Sequence, residues 1–171
     1  MICGELTTLR ALEERDVERL RGWRNHPELM GLHFSDLPVS DIEQKNWYQA
    51  YATSRTKVFM VESKQDEAAG YVILKDLDHK NRQAEIGIHL DPAHQGKGYG
   101  KDAFLSLVRF CFEELNMHRV YLQVFAFNER AAGLYRKLGF VEEGRLRECF
   151  FTQGAYQDII VMSLLDNEFK G

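Results

Sequence analysis

The sequence lacks several features that mark special classes of protein. Its 171 residues contain no apolar run of about 18 residues, so we expect no membrane-spanning helix. Residues 1–10 carry neither a basic leader nor a long apolar stretch, which argues against a signal peptide. There is also no repeat, low-complexity tract or flexible linker. We therefore expect one domain that occupies residues 1–171.

Cysteine is scarce and shows no pattern. Cys3, Cys111 and Cys149 are odd in number and far apart, so we expect reduced thiols in a cytoplasmic protein. The six histidines lack ligand spacing with cysteines or carboxylates, which predicts no metal site. A net charge of −4 without a dense basic cluster argues against a nucleic-acid partner, and we expect no membrane partner either.

The remaining composition is that of a globular chain with a sizeable core, at 44% hydrophobic and 28% charged residues. Helical patterns follow Asp16, Ser40, a glycine-rich loop and Asn128. Glu43 stands three residues after Ser40 in capping-box spacing, and Asn128 is well placed to cap its helix. Seven strand-like runs cover residues 5–11, 58–61, 71–74, 84–90, 119–125, 144–151 and 156–164. The order β-α-α-β-β-β-α-β-α-β-β predicts an α/β or α+β fold with helices on both faces of a mixed sheet.

The glycine-rich loop at residues 95–100 reads Gln-Gly-Lys-Gly-Tyr-Gly and lies between a strong strand and a strong helix. Glycines let a backbone approach a ligand closely, and the free N–H groups at a helix start favour an anion. No Walker string occurs, and the glycine spacing differs from the dinucleotide fingerprint. A phosphate site and a simple connecting turn both remain open from the loop alone.

Further motifs follow the loop in a fixed order. After Gln-x-x-Gly-x-Gly come a helix, a strand, and then Asn128-x-x-Ala131-x-x-Leu134-Tyr135-x-x-Leu138-Gly139-Phe140. This arrangement resembles the GCN5-related N-acetyltransferase (GNAT) superfamily, strongly over residues 84–140. The closing stretch at residues 144–162 is similar to the ribosomal-protein-alanine and spermidine acetyltransferase branch. Trp23-Arg24-Asn25 with Trp47-Tyr48 also looks like amino-sugar acetyltransferases.

The resemblance implies the rest of the architecture and the co-substrate. It implies a mostly antiparallel seven-stranded sheet, splayed between its fourth and fifth strands, where acetyl-CoA lies with its pyrophosphate on the loop amides. It also implies a homodimer as the usual assembly. The implied cofactor-binding residues are Ile88, His89, Leu90, Gln95, Gly96, Lys97, Gly98, Tyr99, Gly100, Lys101, Asn128 and Lys137.

Two residues are predicted to be catalytic. In the family, a tyrosine at the position of Tyr135 points at the CoA sulfur, and an ordinary phenol pKa of about 10 suits donation to a thiolate of pKa about 8.5. A role in core packing is the alternative for Tyr135. Glu85 is the candidate base on the face of its strand that it shares with His89. A surface glutamate paired with Arg82 or Arg119 is the alternative there.

The implied activity is direct acetyl transfer to a primary amine in a ternary complex, without an acyl-enzyme. The expected acceptors are a polyamine or other small amine, a protein N-terminus, or an amino-sugar nucleotide. The first two helices, the loop at residues 31–40 and the closing strands are expected to form the acceptor pocket. Asp36, Glu85 and Glu148 are its candidate acidic residues. A non-catalytic acyl-CoA sensor is a further alternative.

Overall fold

The computed structural model describes residues 1–32 and 37–171. Its strands are β1 Ile2–Cys3, β2 Thr7–Ala11, β3 Lys57–Ser63, β4 Ala68–Asp78, β5 Gln83–Leu90, β6 Arg119–Phe125, β7 Val141–Thr152 and β8 Ala155–Leu165. Its helices are α1 Val17–Arg24, α2 Pro27–Met30, α3 Asp41–Tyr51, α4 Tyr99–Glu113 and α5 Glu129–Lys137. Within the described ranges no helix is both long enough and apolar enough to cross a membrane.

All the strands belong to one sheet with the order β1-β2-β3-β4-β5-β6-β8-β7. Neighbours pair antiparallel except β5 and β6, which are parallel. The mostly antiparallel sheet is therefore confirmed, with eight strands in the described residues where seven were expected. The additional strand is β1, in which Ile2 pairs with Leu9 and Cys3 with Thr8. Two residues are too short for a periodic pattern to show them in the sequence.

Helices cover both faces of the sheet, as expected. On one face α4 buries Phe104 and Leu107 against Val72 of β4 and Ile86 of β5. On the other face Leu20 and Trp23 of α1 lie in a second buried cluster. Successive strand residues point to opposite faces, so β4 contributes Val72 to one cluster and Tyr71 to the other. This alternation also places Glu85 and His89 on the α1 face, opposite Ile86.

The loop before α3 contains a short helix that the sequence pattern did not predict. The first helix was expected to end near Asn25-His26-Pro27, and α1 does end at Arg24. Pro27 then occupies the first turn of α2. A proline is tolerated there because the first N–H groups of a helix have no intrahelical partner. The expected loop at residues 31–38 lies partly outside the described residues. At its far end, Asn25 exchanges two hydrogen bonds with the backbone of Val39, at 2.7 and 2.8 Å.

The parallel pair β5 and β6 separates soon after it begins. Their register runs only from Gln83 opposite Arg119 to Glu85 opposite Tyr121. Beyond Glu85 the remaining five residues of β5 continue to pair with β4 alone, through to Leu90 opposite Gly70. The gap lies between the strands for which the splay was expected. It creates the opening in which the functional site lies.

Candidate active site

A cleft of about 930 Å³ occupies the gap between β5 and β6. This volume lies near the upper end of the range for small-molecule sites, which suits a ligand as large as CoA. Lys97 and Tyr99 are the two predicted site residues that do not line it. The predicted residues that line the cleft are Glu85, Ile88, His89, Leu90, Gln95, Gly96, Gly98, Gly100, Lys101, Asn128, Tyr135 and Lys137.

The glycine-rich loop reaches the cleft in a conformation that favours glycine. Gly96 and Gly98 have φ values of +78° and +85°, and Gly98 is the residue that precedes α4. A side-chain carbon added at Gly96 would meet nothing within 4 Å, so the backbone there faces open space. The first amides of α4 have no intrahelical acceptors. Loop and helix start therefore present the donor set that a pyrophosphate requires.

The start of the chain is hydrogen-bonded to the first turn of α4, directly after this loop. Asp102, in the first turn of α4, accepts hydrogen bonds from the backbone N–H groups of Glu5 at 2.9 Å, Leu6 at 3.1 Å and Thr7 at 2.8 Å. The Thr7 hydroxyl donates to the same carboxylate at 2.6 Å. The turn between β1 and β2 is thereby fixed against the N-terminus of α4. Sequence analysis missed this contact because its partners are 95 to 97 residues apart.

Trp23 of α1 anchors the segment that leads into the loop. Its indole N–H donates to Asp91 at 2.9 Å, and Asp91 also accepts from the N–H of Ala93 at 2.9 Å. Burial opposes ionisation of Asp91, but these two hydrogen bonds outweigh it and lower the pKa of the carboxyl. The ring of Trp23 also stacks on Tyr71, which stacks on His89 of β5. Helix α1 therefore holds in place the segment that leads into the glycine-rich loop.

Helix α5 borders the cleft on the β6 side. Asn128 caps it, because its side chain accepts from the N–H of Ala131 at 3.2 Å, as the sequence predicted. Arg130 donates to the side chain of Gln95 at 3.0 Å and so joins α5 to the glycine-rich loop. Arg130, Lys101 and Lys137 all line the cleft, where their charge complements an anionic ligand. Sequence analysis did not single out Arg130.

Tyr135 has a packing role and also lines the cleft. Its side chain is buried and its ring lies 5.0 Å from that of Phe104 and 6.1 Å from that of Phe140, between ring centroids. Burial raises the pKa of Tyr135 from 10.0 to about 12. The value of 10 used in the sequence argument was therefore too low. Burial raises thiol pKa values too, as the buried thiol of Cys111 illustrates at about 12.

Glu85 is buried, with 5% of its surface exposed, so its interpretation as a surface residue is wrong. Its partner is also neither Arg82 nor Arg119. The carboxylate lies 2.7 Å from the ammonium of Lys75, the residue opposite it on β4. Arg119 instead pairs with Glu143, and Arg82 bonds to Asn116 and Asp166. The register of β4 against β5, which single-strand patterns do not specify, brings Lys75 to Glu85.

The end of the cleft on the α1 face has an apolar wall. Leu20 and Leu29 line it together with the indole of Trp47, and Arg24 lies at the same end. The expected contribution of the closing strands is not seen, since no described residue of β7 or β8 lines the cleft. Glu148 is exposed on β7, away from this wall, and Asp36 lies outside the described residues. Glu85 is therefore the one predicted acidic residue that the described structure places here.

Comparison with known proteins agrees with this geometry. Residues 7–141 match the family model described as an acetyltransferase (GNAT) domain. The chain is 35% identical to a spermidine N(1)-acetyltransferase of Vibrio cholerae, over 95% of this chain and 94% of that protein. It is 31% identical to a putative ribosomal N-acetyltransferase of Bacillus subtilis, over 98% and 96% of the two chains.

A solved structure shows the same fold in complex with ligands. It is the crystal structure of spermidine N-acetyltransferase from Vibrio cholerae with CoA and spermine, which superposes with a TM-score of 0.91 at 34% identity. The match covers 97% of this chain and 99% of that one. The chain therefore belongs to the GNAT acetyltransferase family, and its activity is the transfer of an acetyl group from acetyl-CoA to an amine.

Proposed function

We propose that the acceptor is a polyamine, with Glu85 as the general base and Tyr135 as the general acid. The observation that carries this proposal is the position of Glu85, a buried carboxylate at the point where β5 and β6 separate. A carboxylate attracts a cationic amine, and the adjacent wall of Leu20, Leu29 and Trp47 suits an aliphatic chain. The similarity to spermidine acetyltransferases supports the same acceptor.

In this proposal Glu85 takes a proton from the acceptor, and Tyr135 gives a proton to the leaving sulfur. Glu85 accepts a proton from the acceptor ammonium, directly or through one water, because an amine of pKa about 10.4 is almost entirely protonated at pH 7. The neutral amine attacks the thioester carbonyl, so the C–N bond forms. When the C–S bond breaks, Tyr135 donates its proton to the sulfur. The nitrogen releases its second proton, which restores Tyr135, and Glu85 returns its proton to solvent.

The same proposal assigns the remaining cleft residues to the co-substrate. The backbone at residues 95–100 holds the pyrophosphate, while the lysines and Arg130 add attraction for the phosphates. The end of β5 at Ile88, His89 and Leu90 runs beside the pantetheine arm, and an N–H there binds the oxyanion. The side chains of Lys97 and Tyr99 have no assigned contact in this proposal, since neither residue lines the cleft.

An acceptor panel tests the proposal. Release of the CoA thiol is followed with spermidine, spermine, peptides that begin with Ala or Ser, and an amino-sugar nucleotide. We expect the polyamines to give the highest kcat/KM, with a value that falls as salt is added because salt screens charge attraction. A peptide or sugar preferred over every polyamine would overturn the polyamine proposal while leaving acetyl transfer intact.

A protein N-terminus is a second candidate acceptor, and one observation favours it. Arg24 lines the acceptor end of the cleft and donates to Gln44 at 2.9 Å, which fixes a cation near the place where an acceptor enters. A guanidinium repels a second ammonium and can bind a peptide carbonyl. An Arg24→Met variant separates the two acceptors, because it should improve spermidine turnover and impair peptide turnover.

We also propose that residues 1–171 form one catalytic domain, that the chain functions in the cytoplasm and that it assembles as a homo-oligomer. The single sheet that contains β1 to β8 supports the proposal of one domain. The exposed free thiols of Cys3 and Cys149 fit a reducing compartment. A solved Vibrio cholerae spermidine N-acetyltransferase is described as dodecameric, which supports an oligomer here. Light scattering of the purified chain measures the assembly.

A further inference from the structure

Lys75 and Glu85 form an ion pair inside the catalytic cleft. Their Nζ and Oε1 atoms are 2.7 Å apart, and both residues line the cleft that Tyr135 borders. The carboxylate is almost fully buried, with 6% of its side chain exposed, whereas the lysine side chain is 36% exposed. The lysine therefore reaches from the solvent side of the cleft to a carboxylate that water contacts poorly.

The surroundings of Glu85 contain few other cations. Asp76 follows Lys75 on β4, and Tyr121 lies opposite Glu85 on β6. Burial and the negative charges of Glu85 and Asp76 raise the pKa of Tyr121. Arg119 stacks on the Tyr121 ring at 4.6 Å, and it is already bonded to Glu143 and to Gln83. Among the described residues, Lys75 is thus the cation in contact with the carboxylate.

A buried carboxylate without a counter-charge takes up a proton instead of staying ionised. A protonated glutamic acid cannot accept the proton of an incoming ammonium. Its side chain would also be free to rotate, because the ion pair is what holds one of its oxygens toward β4. The protonation state and the orientation of Glu85 therefore both depend on Lys75.

We propose that Lys75 is a positioning residue for acetyl transfer, which keeps Glu85 ionised and holds its carboxylate in one orientation in the cleft. This inference rests on the proposed role of Glu85 as the base. Lys75 acts through Glu85 and transfers no proton itself. Its partly exposed side chain can move aside when the acceptor ammonium reaches the carboxylate.

The test is a double-mutant cycle with pH profiles. Lys75→Met, Lys75→Arg, Glu85→Gln and the double variant Lys75→Met/Glu85→Gln are compared with wild type, using one acceptor throughout so that its own ionisation cancels. We expect Lys75→Met to lower kcat about tenfold near pH 7, with the ratio to wild type recovering as the pH rises by about two units. Lys75→Arg should keep most of the activity. The dissociation constant for CoA should not change in any variant.

The cycle decides between a positioning role and mere structural support. If Lys75 acts through Glu85, Lys75→Met should cost little more once Glu85 is already Gln. An equal loss in both backgrounds, or a Lys75→Met profile that coincides with wild type, would overturn the inference while leaving Glu85 as the base. A fully active Glu85→Gln variant would overturn the base assignment, and the inference with it. Melting temperatures of all variants identify any loss that is due to unfolding.

Discussion

Glu85 lies opposite Tyr121 in the last residue pair at which β5 and β6 remain in register. The candidate base therefore occupies the position where the sheet opens. Beyond it the backbone of β5 has no partner on the β6 side and faces the cleft. Tyr135 reaches the same cleft from the α4 face of the sheet, while Glu85 lies on the α1 face. The opening thus brings one residue from each face of the sheet to the same cleft.

Tyr135→Phe should lower kcat by about 10² to 10⁴-fold, because general acids typically contribute this much and the ring itself is retained. CoA affinity and melting temperature should hold, since no buried carbon is removed. Because the pKa of Tyr135 is raised to about 12, its ionisation should not limit the rate below about pH 11. The control is Tyr156→Phe, at a tyrosine that is exposed on β8. A Tyr135→Phe enzyme with most of its turnover would refute the assignment.

Glu85→Gln should reduce turnover about 100-fold at neutral pH, because the amide cannot accept the ammonium proton. The loss should shrink as the pH approaches the pKa of the acceptor amine, where free amine no longer has to be generated by the enzyme. Steady-state rates between pH 6 and 10 measure this recovery. Glu148→Gln is the matched control, because Glu148 is exposed outside the cleft and its loss should change nothing.

Gly98→Val should weaken CoA binding about tenfold or more. The glycine has φ +85°, which a β-branched residue avoids, and a side-chain carbon there would lie 3.1 Å from Leu6. The loop should shift, and its amides should leave the pyrophosphate. Gly154→Val, at φ +78° in the turn between β7 and β8, imposes similar strain away from the cleft. Calorimetry that finds equal CoA affinity for both folded variants would exclude the loop as the phosphate site.

Asp16→Asn should destabilise the fold by about 3 kcal/mol, since it leaves Arg10 with fewer partners in a buried network. Arg10 contacts Asp16 at 2.6 Å and Glu62 at 2.7 Å. Burial opposes ionisation of Asp16, but its bonds to Arg10 and to the Glu13 N–H outweigh this and lower the pKa of the carboxyl.

The direction of that pKa change sets the pH at which the stabilisation disappears. A lowered folded-state pKa stabilises the protein above the unfolded value of about 3.9, and this contribution is lost as the pH falls through the folded value. Urea unfolding at pH 7 and pH 3 should therefore show a smaller difference between Asp16→Asn and wild type at the lower pH. Glu18→Gln, which breaks an exposed pair with Arg21, should change the stability little at either pH.

Local patterns predicted much of this protein. The glycines before α4, the capping box of Ser40 with Glu43 at α3 and the cap of Asn128 at α5 are all present. The alternation at residues 84–90 placed Glu85 and His89 on one face. These features concern residues within a few positions of each other, where spacing and backbone preference determine the structure directly.

Contacts between distant segments were missed because spacing along one segment does not specify them. The sequence by itself determined the type of most elements and the loop that faces the cleft, and it singled out Glu85 and Tyr135 as candidates. Only the tertiary structure decided that Lys75 pairs with Glu85, that Asp102 holds the β1–β2 turn and that Trp23 bonds to Asp91. Each of these contacts depends on the strand register or on the packing of a helix against the sheet, and burial of the whole core fixes both.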